Sequence, residues 1–379
     1  MKTKEWKLMD DVISSEQRKE MSDFILNGDR FSQGDIVRFF EKKWSKWQDC
    51  KYSVFVNSGS SANFIATHAA MMKYGYHSTW VSQACTWATT VTPAMLSNNS
   101  IQLTDVSIPN LGVDIDCFNK MIKITSPKFL FLANLLGLPA VTDDLLQICD
   151  ENGIVVLEDC CEAHGAKYNG KKVGNFGVMS TFSFYYGHHM TTIEGGMVCT
   201  DDEELYHNLL LLRSHGLLRE LPEDAQSKYD MVDPSFTFVT PGFNVRSTEL
   251  NALLGTMQLD DLDKNVRIRG QNFEAFVQGL DGSRYYNEFI TDGNSSFCFP
   301  IVCKLGNRDL VRSVLDDAGI ETRPIIAGNL YEHPFMKSTN QYRFDTNAKI
   351  VHENGFYVGN NQNVTLDDVD WLLEELNKV

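Results

Sequence analysis

Residues Phe129-Leu-Phe-Leu-Ala-Asn-Leu-Leu136 form a nearly continuous apolar run. A run this short, with no alternation, reads as a strand buried on both faces, the pattern of a parallel sheet. Gly137-Leu-Pro139 ends it. A helix is expected from about Thr142 to Glu151, with Leu145, Ile148 and Cys149 turned inward and Gly153 as its stop. Ile154-Val-Val-Leu-Glu-Asp159 then reads as a second buried strand. Strand, helix and strand in that order make a right-handed βαβ unit, and ligands of such sheets bind beyond the carboxyl ends of the strands. Asp159 sits at such an end. Tyr52-Ser-Val-Phe-Val-Asn57 and the segment from Ile101 to Val106 add strands, so the expected class is α/β with a mostly parallel central sheet.

From about residue 260 the pattern changes to a long helix, the strand Phe297 to Cys303, a helix from Asp309 to Ala318 and a last helix from Leu366 to Leu376. The chain of 379 residues is long enough for two cores. Residues 1–259, with an N-terminal arm, are expected to form a large domain and 260–379 a smaller α/β domain. Val37, Phe40, Trp44 and Trp47 fall at helical spacing and read as core. The net charge of −16 argues against nucleic acid and anionic membranes, so an anionic ligand needs a local positive site. Met1-Lys-Thr-Lys-Glu-Trp-Lys7 leads into acidic residues, and no apolar run reaches the length of a membrane span. The nine cysteines are scattered without Cys-x-x-Cys spacing, so the expectation is reduced thiols, no metal site and a cytoplasmic protein.

Two stretches carry chemistry. Ser58-Gly-Ser-Ser-Ala-Asn63 is a Gly/Ser turn leading into a helix from Ala62 to Tyr74. Such a turn points free N–H groups and the positive end of the helix dipole at one spot, a phosphate cradle formed by Gly59, Ser60 and Ser61. The second stretch is Ser180-Thr-Phe-Ser-Phe-Tyr-Tyr-Gly-His-His-Met-Thr-Thr-Ile-Glu-Gly-Gly196. It starts as a strand, breaks into a loop at Gly187, His188 and His189, and closes at Gly195-Gly196 before the strand Met197 to Thr200. An imidazole with an ordinary pKa of roughly 6.5 can move a proton there. Arg219, just past the helix that ends at Arg213-Ser-His215-Gly216, can meet a substrate phosphate.

These segments resemble the DegT/DnrJ/EryC1 sugar aminotransferases over nearly the whole chain. In that family a Ser-Phe segment precedes a lysine six residues before Gly-Glu-Gly-Gly, and the lysine binds pyridoxal phosphate (PLP) covalently. Here His188 is six residues before Glu194, and no lysine lies between Lys172 and Lys228. The resemblance implies a fold-type-I, aspartate aminotransferase-like fold. It assigns the PLP phosphate to the Ser-Gly-Ser-Ser turn and to Ser183, ring stacking to Trp87 and the pyridine nitrogen to Asp159. Asp159 lies in Glu158-Asp-Cys-Cys-Glu-Ala-His-Gly-Ala166, close to the family's Glu-Asp-x-x-x-x-x-Gly-Ala. Glu162 departs from the family's glutamine and is expected near the ring hydroxyl. The His215-Gly216 pair matches one that borders the substrate. Pro241-Gly-Phe-Asn-Val-Arg246, read as opening a long helix through Leu250 and Met257, matches Gly-Tyr-Asn-x-Arg, whose asparagine reaches the cofactor phosphate of a neighbouring subunit. That implies a homodimer with shared sites in which Asn244 crosses over.

Histidine in place of the lysine removes the covalent tether and keeps an acid/base group, and the resemblance to family members with the same His-His-x-x-x-x-Glu-Gly-Gly loop implies dehydration rather than amination. The expected activity is a PLP/pyridoxamine phosphate-dependent removal of the C3 hydroxyl of a nucleotide-linked 4-keto-6-deoxy sugar, with His188 as acid/base and L-glutamate as amino donor. The alternatives are a sugar aminotransferase, which His188 disfavours, and a non-catalytic PLP- or sugar-binding homologue. A dehydratase built on an iron–sulfur cluster would need more clustered cysteines than Cys298 and Cys303.

Overall fold

The computed structural model describes residues 5–337, 339 and 341–379, so the first four residues of the expected arm lie outside the description. Its main sheet has seven strands in the order β1-β9-β8-β5-β4-β2-β3. They are β1 Tyr52–Val56, β2 Thr79–Gln83, β3 Ser100–Thr104, β4 Phe129–Ala133, β5 Val155–Asp159, β8 Met179–Ser183 and β9 Gly196–Thr200. The short pair β6 Lys167–Tyr168 and β7 Lys171–Lys172 forms a separate ribbon. Pairing is parallel from β3 through β8, and β9 runs antiparallel to both of its neighbours. All five residues of β4 and of β8 are buried, as a strand covered on both faces requires. The strands β10 Cys298–Val302, β11 Thr322–Arg323 and β12 Gly355–Gly359 make a second, antiparallel sheet in the order β10-β12-β11.

Three expectations shift. The run at Phe129 was expected to stay extended to Leu136, but β4 ends at Ala133. Asn134 turns there because its side chain is used locally: Oδ1 accepts from Ala140 N at 2.8 Å and Nδ2 donates to Glu158 Oε2 at 3.4 Å. The helix expected from Ala62 is Gly59–Tyr74, so the turn residues are themselves its first turn, capped by Ser58. The helix after Pro241 begins only at Glu249, under a Thr248 cap. Asn244 and Arg246 are instead bridged in extended backbone to Ser214 and Val56.

The N-terminal segment crosses to the second sheet. Trp6 bridges to Ile320, donates Nε1 to Gly359 O at 2.9 Å and packs against Phe299 and Trp371. This lays Leu8 and Met9 over the carboxyl ends of the main strands. A Cβ at Gly187 would lie 2.0 Å from Met9 Sδ, so the loop needs glycine where the arm rests on it.

Candidate active site

The carboxyl ends of β4, β5 and β8, the start of helix Gly59–Tyr74 and one edge of the second sheet enclose a cavity of about 240 Å3. Its walls include Gly59, Ser60, Trp87, Asp159, Glu162, Ser183 and His188, all expected from sequence, together with Asn63, Thr89, Phe297, Arg323 and Tyr357, which were not. No lysine lines it among the described residues.

Asp159 ends β5 at 6 % exposure, and three donors fix its carboxylate. Asn63 Nδ2 and Thr90 Oγ1 donate to Oδ2 at 2.8 and 2.9 Å, and Cys161 N donates to Oδ1 at 3.1 Å. Thr181 Oγ1 in turn donates to Asn63 Oδ1 at 2.6 Å, so β8 orients the asparagine that orients the aspartate. The neighbouring Glu158 points away from the cavity. It is fully buried and accepts from Gly174, Phe176 and Gly177 N at 2.7 to 2.9 Å, which pins the loop before β8.

On the opposite wall, Ser58 Oγ accepts from Ser61 N at 3.0 Å. That bond takes Ser61 into the cap and out of the cavity wall, while the first-turn N–H groups of Gly59 and Ser60 keep their freedom. Ser183 stands beside them at 7 % exposure. A Cβ at Gly59 would lie 2.6 Å from Ser183 Cβ, and one at Gly196 would lie 2.2 Å from Ser58 O. Glycine at both positions lets β8, β9 and the helix start converge, and the result is a concave anion site of N–H groups, hydroxyl and helix dipole. A pyridine carrying a phosphate fits between this cradle and Asp159, with Trp87 offering a ring face at 55 % exposure at the mouth.

His188 reaches the cavity from the loop after β8, 5.4 Å ring to ring from Phe297 and 6.3 Å from His164. Its Nδ1 is shielded and without a partner, which leaves Nε2 as the nitrogen with access to the cavity. Burial, and then the Arg269 guanidinium, lowers its pKa to about 4. The shift leaves the imidazole neutral at neutral pH and able to accept a proton. Behind it lie His164 and His189, both buried and both held well below the ordinary histidine value, chiefly by burial. Glu162 accepts from Leu136 N at 3.0 Å, and burial pushes its carboxyl up to about 8. A protonated Glu162 presents a donor to the cavity, as the amide of a glutamine would.

The remaining sequence candidates lie elsewhere. His215 and Arg219 are exposed; Arg219 Nη1 donates to Ser235 O at 2.9 Å and its guanidinium lies 5.4 Å from the Phe236 ring centre. Asn244 is exposed on the strand-like segment bridged to Ser214. None of the three borders the His188 cavity of its own chain. Of the residues missed, Asn63 carried a signal, one helical turn past Gly59 and therefore on the same face. Leu8, Met9, Arg323 and Tyr357 carried none, because separate segments bring them in.

A family model described as the DegT/DnrJ/EryC1/StrS aminotransferase family matches residues 12–377. The GDP-4-keto-6-deoxy-D-mannose 3-dehydratase of Escherichia coli O55:H7 is 35 % identical over 375 residues, covering 93 % of this chain and 94 % of that one. A solved structure of E. coli GDP-4-keto-6-deoxy-D-mannose-3-dehydratase with bound hydrated PLP superposes with a TM-score of 0.92 at 32 % identity, covering 98 % of this chain and 99 % of the other. Another, of GDP-4-keto-6-deoxymannose-3-dehydratase with a trapped PLP-glutamate geminal diamine, gives 0.91 at 32 % identity, covering 98 % and 100 %.

Proposed function

We propose, from the premise that this chain belongs to the DegT/DnrJ/EryC1/StrS aminotransferase family, that it is a PLP-dependent 3-dehydratase of a GDP-linked 4-keto-6-deoxy sugar. The fold is the fold-type-I, aspartate aminotransferase-like one, and residues 1–259 and 260–379 are read as its large and small domains. The observation that carries the activity is the imidazole of His188 in a cavity that no described lysine lines.

When bound, the cofactor in its pyridoxamine form supplies an amine for the sugar ketone and an electron sink for loss of the C3 hydroxyl. Gly59 N, Ser60 N and Ser183 Oγ would hold its phosphate, Asp159 its ring nitrogen, Trp87 its face and Glu162 its ring hydroxyl. Asp159, locked by Asn63, Thr90 and Cys161, brings a fixed negative charge to one point without reorganising. His188 Nε2 enters neutral, so it can take one proton inside the cavity and return it to the hydroxyl that leaves C3. Leu8 and Met9 cover the site and limit water access.

L-glutamate as amino donor, a homodimer and a cytoplasmic location complete the reading. Asn244, His215 and Arg219 would serve the cavity of the neighbouring subunit. The exposed aromatics Phe236, Phe238 and Phe243 beside them support a covered face there. The nine free thiols support the location.

The test is to incubate the protein with PLP, L-glutamate and GDP-4-keto-6-deoxymannose and to follow products by mass spectrometry. A 3-deoxy-4-keto product that forms with consumption of glutamate is expected. Accumulation of a 4-amino sugar that keeps its C3 hydroxyl would make the protein an aminotransferase instead.

A further inference from the structure

At the other end of β1 and β9, away from His188, two thiols meet. Cys50 lies between helix Asp35–Gln48 and β1 and is half-buried, whereas Cys199 on β9 is 1 % exposed. Ser53 and Cys199 are register partners across the antiparallel pair. Ser53 Oγ stands 3.5 Å from Cys199 Sγ and 3.6 Å from Cys50 Sγ, so one hydroxyl touches both sulfurs. Trp44 Nε1 donates to Cys199 Sγ at 3.3 Å, and Ser45 Oγ lies 2.7 Å from Ser53 Oγ. Both cysteines border a cavity of about 270 Å3, with Asn175, Thr200 and Asp201, that is separate from the His188 cavity.

We propose that Cys50 and Cys199 form a peroxide-reactive dithiol that closes to a disulfide. The Cys50 thiolate attacks one oxygen of hydrogen peroxide, an S–O bond forms, the O–O bond breaks, and the departing hydroxide leaves as water with the thiol proton. Cys199 sulfur then displaces the sulfenic oxygen of Cys50. The S–S bond forms, the S–O bond breaks, and a second water leaves with the Cys199 proton. Two thiols lose two electrons and one peroxide becomes two waters.

The division of labour follows from the surroundings. Hydrogen bonds from Cys199, then from Ser53 and Ser45, hold the Cys50 thiol below its ordinary value in spite of burial and the Asp201 carboxylate. Burial holds Cys199 well above, which suits the resolving rather than the attacking partner. Cys117, also half-buried, is pushed up to about 12 and is the poorer nucleophile.

The experiment exposes PLP-loaded protein to a small excess of hydrogen peroxide, blocks residual thiols with an alkylating agent under denaturing conditions and maps peptides by mass spectrometry. Expected are a Cys50–Cys199 linked peptide, loss of two hydrogens from the intact mass and reversal by dithiothreitol. Cys199→Ser should stop at a Cys50 sulfenic acid that dimedone captures, and Cys50→Ser should give neither species. A wild-type map in which oxidation falls first on another cysteine, or in which Cys50 passes to sulfinic acid without linking, would overturn the proposal. That map decides the matter even where a variant fails to fold.

Discussion

Asn63 Nδ2 lies 2.8 Å from Asp159 Oδ2, so the helix that presents the anion cradle also holds the carboxylate on the opposite wall. The two ends of the cavity are thereby set at a fixed separation by one helix turn and one strand end. A ligand with an anionic group at one end and a basic nitrogen at the other meets a preorganised frame, and the two ends have different tasks.

Those tasks separate in variants. Asp159→Asn keeps shape and two of the donors' partners but removes the charge, so it should slow dehydration by about 10²–10³-fold. Its PLP affinity should fall only by the equivalent of about 1.5–3 kcal/mol. Ser183→Ala should weaken PLP binding by a similar amount while leaving the rate at saturating PLP within a few-fold. PLP titration by absorbance and single-turnover rates distinguish the two. Equal rate losses at saturation would refute the division.

His188→Lys supplies a primary amine at the cavity wall. We expect a cofactor–lysine adduct after borohydride reduction, found at this position in a peptide map, and dehydration reduced by about 10²–10⁴-fold. The unsubstituted protein should release its cofactor on denaturation after the same treatment. An unchanged 3-deoxy yield from the variant would remove His188 from the proton transfer.

The alternation of apolar strands and helices made the parallel sheet legible, since β4 is buried on both faces and reads as an unbroken apolar run, whereas β8, equally buried, carries Ser180, Thr181 and Ser183 and was legible only by its aromatic and β-branched lead-in. Asp159, Ser183 and His188 were legible because each sits at or just past a strand end inside a local motif. The glycines were legible as turns, but the reason for Gly59 and Gly196 is a three-way approach of β8, β9 and a helix that no local pattern encodes. Arg323, Tyr357, Leu8 and Met9 reach the cavity from segments whose meeting depends on the second sheet and on Trp6 docking there. The low pKa of His188 was out of reach for the same reason: its causes are burial and Arg269, which belongs to helix Leu262–Gly279.

Activity should follow these two shifted groups. His188 titrates near 4, so kcat/KM should hold as pH falls from 7 to 5, where an ordinary histidine would already be protonated. Glu162 titrates near 8, so a donor role predicts a falling limb as pH rises through 8. Glu162→Gln should retain activity and flatten that limb. A limb that stays in place in the glutamine variant would assign it to another group.

His164 has a stability signature of its own. It is fully buried among Trp44, Phe182 and Phe184, and burial, then His188 and Arg269, keeps it neutral far below 6.5. A folded pKa below the unfolded one contributes stability that is complete above about 6.5 and is lost as pH falls, at about 1.4 kcal/mol per pH unit. Between pH 7 and 5, His164→Phe should therefore lose less stability than the unsubstituted protein in urea unfolding. The raised Glu158 and Glu162 act in the opposite direction and are common to both proteins, so they cancel in the comparison. Parallel pH dependences would show that His164 is not the proton-linked group.

The shared-site reading makes the sharpest prediction. Asn244 is exposed and lies outside its own chain's cavity, so a role at the cofactor phosphate requires a second subunit. Asn244→Ala should weaken PLP binding as Ser183→Ala does, by about 1.5–3 kcal/mol for a lost hydrogen bond to a charged group. Asp159→Asn acts within one chain and Asn244→Ala across to the other. In a mixed dimer, the cavity of the Asn244→Ala chain has an intact Asp159 and receives an intact Asn244 from its partner. The second cavity carries both defects. Mixing the two inactive or weakened homodimers should then restore activity toward half the unsubstituted level per exchanged dimer at limiting PLP. Native mass spectrometry of tagged subunits would measure the exchange. If exchanged dimers show only the average of the two parents, Asn244 does not act across the subunit boundary.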